Sequence, residues 1–141
     1  MRTLYILFLV VLQLAFCGCY PDIAGSTNVE EVLRILSPNK RVEAVVERIS
    51  GGATVSTSYV VYVVPKDLKL EQEKERGDYN MGGFESAVTN REAGINLVWI
   101  SETELKVVCD SYKRIFMNKE SIQIEGVIYS IIGFPNEKPE Q

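Results

Sequence analysis

Apolar and polar residues alternate through much of the chain from Arg41 onward. Val42, Ala44 and Val46 alternate with Glu43, Val45 and Glu47, and after Gly51-Gly52 a long run rich in Thr, Val and Tyr extends from Thr54 to Val64. A period of two places successive side chains on opposite faces of a strand, so the pattern predicts a β-hairpin. Its second arm carries Tyr59, Val61 and Val63 on one face and Val60, Tyr62 and Val64 on the other, which predicts cover on both faces toward Pro65. Ile95 to Ile100 and Leu105 to Cys109 form a second hairpin joined through Ser101-Glu102-Thr103-Glu104. Trp99 is expected to pack into the core. Tyr112 to Met117 fits either a strand or a short helix. Ser121 to Glu125 and Val127 to Ile132 are β-like, with Gly126 a bulge or bend between them.

Two segments depart from this alternation. Thr27-Asn28-Val29-Glu30 has the spacing of a capping box, and Val29, Val32, Leu33 and Leu36 recur at helical intervals, which predicts one short N-terminal helix ending at Ser37-Pro38. Lys66 to Asp78 is dense in charge of both signs and leads into Gly82-Gly83. It predicts a long solvated loop with a helical turn around Glu71 to Glu75. The fold class expected is therefore mainly β (α+β): a single small antiparallel β-sheet domain of meander or hairpin type with that one short helix.

The first nineteen residues are of a different kind. Arg2 precedes an apolar run from Leu4 to Phe16 broken only by Gln13, and Cys17-Gly18-Cys19 follows. This arrangement resembles the export signal of bacterial lipoproteins, with Gly18 the small residue before the cut and Cys19 the lipidated residue. The resemblance implies a diacylglycerol on the Cys19 sulfur and an acyl chain on its new amino terminus. Tyr20 follows, where an Asp commonly retains such proteins in the inner membrane, so the implied destination in a Gram-negative host is the outer membrane, facing the periplasm. An ordinary secretory signal and a retained anchor are the other two readings. The apolar run is shorter than the roughly 20 residues that cross a bilayer comfortably. The organisation expected is a signal peptide over 1–18, a tether over 19–27, a β-rich domain over 28–134 and a flexible tail over 135–141.

Composition narrows the chemistry. Arg2 is the only charge in the first 18 residues, so its removal moves the net charge from −4 to −5, with 14 basic and 19 acidic residues. Mild acidity without a basic stripe opposes nonspecific nucleic-acid binding. The chain has no histidine, which excludes Ser-His-Asp and Cys-His nucleophilic sites and any His ligand to a metal. With Cys17 discarded and Cys19 acylated, Cys109 is the one thiol left. No intramolecular disulfide is expected, and alternation places Cys109 on the apolar face of its strand, buried with Leu105 and Val107. Asp78-Tyr79-Asn80-Met81-Gly82-Gly83 has the oxygen spacing that starts a calcium loop, but its fifth position is Gly82 and its twelfth is Thr89 rather than Glu, so a glycine-assisted turn explains it better. Glu43 and Glu47 share a strand face about 13 Å apart, beyond the separation of about 5 to 9.5 Å that glycosidases use, and read as a solvated face. Glu102 and Glu104 occupy a turn, and the Thr54, Ser56, Thr57 and Ser58 hydroxyls follow from β propensity. No catalytic residue, metal ligand or cofactor site is expected.

Ser37-Pro38-Asn39-Lys40, the strand Val42 to Val46, Gly52-Ala53-Thr54 and Trp99 to Leu105 together resemble a group of bacterial lipoproteins and exported β proteins to which no activity is assigned. A cysteine common in that pattern before Gly-Ala-Thr is replaced here by Gly51. The function expected is that of a lipid-anchored cell-envelope protein acting as a binding or structural module and not as an enzyme. Its partners would be the membrane, through the lipid on Cys19, and an envelope protein, but no nucleic acid. Exposed strand edges or the segment from Lys66 to Gly83 would form the contact surface. Two alternatives stay open: an envelope inhibitor or immunity protein, and a carboxylate-based enzyme acting on cell-wall material.

Overall fold

Among the described residues the chain forms nine strands and one helix. The computed structural model describes residues 27–51, 56–86, 94–109 and 112–132. The strands are β1 (Asn28–Leu36), β2 (Val42–Ser50), β3 (Ser58–Pro65), β4 (Asn80–Ser86), β5 (Ile95–Trp99), β6 (Glu104–Cys109), β7 (Tyr112–Met117), β8 (Ser121–Ile124) and β9 (Val127–Ile132), with α1 (Glu73–Tyr79) between β3 and β4. They form a five-stranded antiparallel sheet in the order β1-β2-β3-β4-β7 and a four-stranded sheet in the order β5-β6-β9-β8. The expectation of a small, mainly antiparallel β domain is met. One pair departs from it, because β6 and β9 run parallel. The segments expected as a signal peptide over 1–18, a tether with Cys19 and a tail over 135–141 lie outside the described residues.

The two sheets pack face to face, and the alternation read from the sequence selects the residues between them. Val42, Ala44 and Val46 from β2, Tyr59, Val61 and Val63 from β3, and Phe84 from β4 meet Leu97, Leu105, Val107, Tyr129 and Ile131 of the smaller sheet. Cys109 belongs to this layer at 7% exposure, as its strand face required. The Tyr59 and Phe84 rings stack with centroids 5.1 Å apart, and Trp99 meets Tyr129 edge-on at 6.3 Å. Val45, Val60, Tyr62 and Val64 occupy the other face of the larger sheet and pack against Leu70. Val60 to Val64 are therefore buried on both sides, as predicted for that run.

The N-terminal helix is corrected to a strand. Residues 28–36 pair with β2 from Asn28 opposite Ser50 to Leu36 opposite Glu43, and the register shifts between Glu31 and Leu33. A bulge at Val32 inserts one residue into a period of two, and the phase of alternation reverses across it. Apolar residues at 29, 32, 33 and 36 then mimic a helical repeat. Among the described residues the helix is α1 instead, started by a reciprocal pairing of Gln72 with Glu75.

The segment from Lys66 to Asp78 is largely exposed, as expected, with Leu70 buried within it, and the expected helical turn is α1, which begins at Glu73. The glycine-assisted turn at Gly82-Gly83 is corrected, because Asn80 to Ser86 is a strand inside the larger sheet. The register of β4 against β3 shifts between Val61 and Tyr62, which turns Met81 toward the layer between the sheets. Gly83 allows close approach, because a Cβ there would collide with the Tyr59 carbonyl oxygen and the Phe116 ring. Tyr112 to Met117, open between two readings in sequence, is a strand. Glu125 and Gly126 both have positive φ, 50° and 80°, and close β8 onto β9 as a two-residue turn.

Candidate binding surface

Charge collects on the outer face of the larger sheet where β1 and β2 meet the segment after β3. Strand alternation puts Glu43, Val45 and Glu47 on that face, and the bulge in β1 puts Glu31 and Arg34 beside them. The chain leaving β3 turns back over these residues. An open groove of about 520 Å³ remains between the two, lined by Glu31, Arg34, Glu43, Asp67 and Lys69 among others.

Arg34 ties the groove together. Its Nε and Nη2 donate to the two carboxylate oxygens of Glu31 at 2.8 and 2.7 Å, while Nη1 donates to Glu43 and to the Leu68 carbonyl. Glu43 also accepts the Asp67 backbone N–H at 3.1 Å. One guanidinium thus joins β1, β2 and the covering segment. The hydrogen bond from Arg34 holds the Glu31 carboxyl below its ordinary range, and the bonds to Glu31 and then Glu43 raise Arg34 above its own.

Glu47 is corrected from the solvated face it was expected to occupy. It is 4% exposed, and its carboxylate accepts Arg76 Nε at 2.9 Å and Nη2 at 3.2 Å. Tyr62 also bonds to it. Burial first, and the Glu47 charge second, push the Tyr62 phenol well above its ordinary value. Arg76 is raised, chiefly by its bond to Glu47. This cluster fastens α1 to the sheet, and its carboxylate is held by a guanidinium and a phenol rather than left open to a reactant.

Beside the groove lies the open edge of β1. Among the described residues only β2 pairs with it, so the opposite edge of a nine-residue strand carries backbone groups without a strand neighbour. Val29, Val32 and Leu36 on this strand are 40, 38 and 41% exposed. The smaller sheet exposes a separate patch, with Val98, Lys106 and Ile132 side by side on its outer face.

The remaining sequence candidates do not converge. Glu102 is exposed in the turn before β6, where its carbonyl accepts from Asn39 Nδ2 at 3.2 Å. Glu104 accepts the Ile100 and Ser101 amides through its carbonyl. Thr54 lies outside the described residues, and Ser56 hydrogen-bonds the Glu85 carboxyl and helps to lower it. Asp78 and Tyr79 end α1, while the Asn80 side chain accepts the Gly82 amide at 2.8 Å. Among the described residues no three His, Cys, Asp or Glu side chains converge as a metal site would require. Sequence reasoning missed Arg34 and Arg76 as the organising charges. The three-residue interval from Glu31 to Arg34 was visible, but it was read on a helix. Comparison of the chain with known protein families, curated proteins and solved structures returns no match.

Proposed function

We propose that this chain is a lipid-anchored cell-envelope protein whose β domain acts by binding, with the open edge of β1 and the charged groove beside it as the contact surface. Cys19 supplies the anchor in this reading, which rests on the Gly18-Cys19 pattern and the apolar run before it. In a Gram-negative envelope the domain would stand at the outer membrane and face the periplasm. The observation that carries the binding reading is β1 itself. An edge strand whose outer backbone groups have no strand neighbour among the described residues, with three exposed aliphatic side chains, is a template for another strand. A binding role also accords with the groove, where the Glu31, Glu43 and Glu47 carboxylates are each tied to an arginine.

Two measurements on the full chain test the two halves of this reading. Cys19→Ser is expected to abolish incorporation of labelled fatty acid in cells, and retained label would overturn the anchor. A photo-crosslinking residue at Val32 is expected to give a discrete adduct in intact envelopes, whereas the same residue at exposed Lys113 of β7 gives none. Equal, diffuse labelling from both positions would overturn the contact surface.

A further inference from the structure

The bulge makes β1 symmetrical about its own centre. Val32 is the inserted residue and Leu33 opposes Val46, so Glu31 and Arg34 stand opposite Glu47 and Val45, the two neighbours of Val46. One step out, Glu30 and Ile35 oppose Arg48 and Ala44, and beyond them Val29 and Leu36 oppose Ile49 and Glu43. Residues equally far from Val46 on β2 share a sheet face and a hydrogen-bonding sense. Their partners on β1 inherit both properties, so Glu31 matches Arg34 and Val29 matches Leu36.

We propose that β1 pairs antiparallel with β1 of a second copy of this chain, centred on the Val32–Leu33 peptide. This rests on β1 being the contact surface and names its occupant. Glu31 then lies opposite Arg34 of the second copy, and Val29 lies opposite Leu36 of the second copy, each twice across the two-fold axis. The five-stranded sheets join into one continuous sheet. Opposite charges meet, and the exposed aliphatic side chains at the two ends of the strand cover one another. The register is set by the bulge. A slip of one residue sets side chains of opposite faces against each other, and a slip of two brings Glu31 against Leu36 or Val29 against Arg34.

An edge bulge often guards a strand against pairing, together with proline, lysine or an inward charge. Between Asn28 and Leu36 there is neither proline nor lysine. Glu31 and Arg34 are of opposite sign at symmetric positions and attract in this register, while Glu30, which falls opposite Ile35, keeps its own ion pair with Arg48. A helical arrangement of copies is not implied, because one surface meets itself and the assembly closes at two.

Cross-linking reads both partner and register. Two full-length chains with different tags, one carrying Val29→Cys and the other Leu36→Cys, are purified, mixed and oxidised. The chain without an added cysteine supplies the background from its native cysteines, and far-UV circular dichroism checks that each variant folds. The mixed pair is expected to give a doubly tagged disulfide adduct. Either variant alone stays at background, since its own cysteines lie roughly 20 Å apart along the strand. Arg34→Glu, added to both chains, sets like charges across the axis and should lower the mixed adduct about tenfold. A mixed adduct no stronger than background overturns the second copy as occupant, while an envelope adduct at Val32 with a different protein would leave the contact surface standing. Adducts of equal yield from each variant alone overturn the register, as does an undiminished adduct with Arg34→Glu.

Discussion

The two faces of the larger sheet are built from the same strands and closed by different physics. Its inner face meets a second sheet along apolar rows, and Phe84, Val61 and Ala44 there are fully enclosed. Its outer face is apolar only toward β3, where Leu70 covers Val45, Val60, Tyr62 and Val64. Toward β1 and β2 the cover is held by ion pairs: Arg76 on Glu47, and Arg34 on Glu31 and Glu43. Apolar contact is nondirectional and extends over the whole face, whereas charged contacts fix a few points and leave space between them. The outer face therefore has a groove.

Four substitutions sharpen or break this comparison. Phe84→Ala empties the fully buried ring stacked on Tyr59 and is expected to cost about 4 kcal/mol in denaturant unfolding. If it costs less than 1 kcal/mol, the inner face is not the chief source of stability. Arg76→Ala leaves the Glu47 carboxylate buried with only a phenol beside it, and about 3 kcal/mol is expected by the same measurement. Glu47→Gln with Arg76→Ala should recover part of that loss; no recovery would mean that the guanidinium acts by packing alone.

The smallest effect belongs to Arg34, whose pair with Glu31 is partly solvated. Arg34→Ala is expected to cost about 1 kcal/mol at neutral pH. Glu31 has a lowered folded-state pKa, so its contribution is present above the ordinary value of 4.5 and is lost as pH falls through the lower folded value. The stability gap between the native chain and Arg34→Ala should therefore narrow on acidification below pH 4.5, as followed by thermal melts. A gap that stays constant into the acid range would assign Arg34 to its bond with the Leu68 carbonyl instead of to its carboxylates.

The groove was only half legible before the fold was known. Glu43 and Glu47 were correctly placed on one strand face, but whether Glu47 met water depended on Arg76, 29 residues further on. The β1 edge was hidden more completely, because its bulge turns a strand's alternation into the spacing of a helix. Its capping-box signature at Thr27 to Glu30 reinforced that reading, while a real reciprocal cap was in use at Gln72 and Glu75.

Away from the irregularities in β1 and β4, the sequence by itself determined which residues face which way. The hairpins of β2 with β3 and β5 with β6, the burial of Val60 to Val64 on both faces, and the inward Cys109 follow from local alternation and turn chemistry. Only the tertiary structure decided which strands share a sheet, that β9 runs parallel to β6, that β1 is a strand with an open edge, and that Glu47 is buried beneath α1. Side-chain direction is a property of a few consecutive residues. Pairing, bulge phase and the burial of a charge are instead set by hydrogen bonds and contacts between segments far apart in the chain, and no window of sequence contains them.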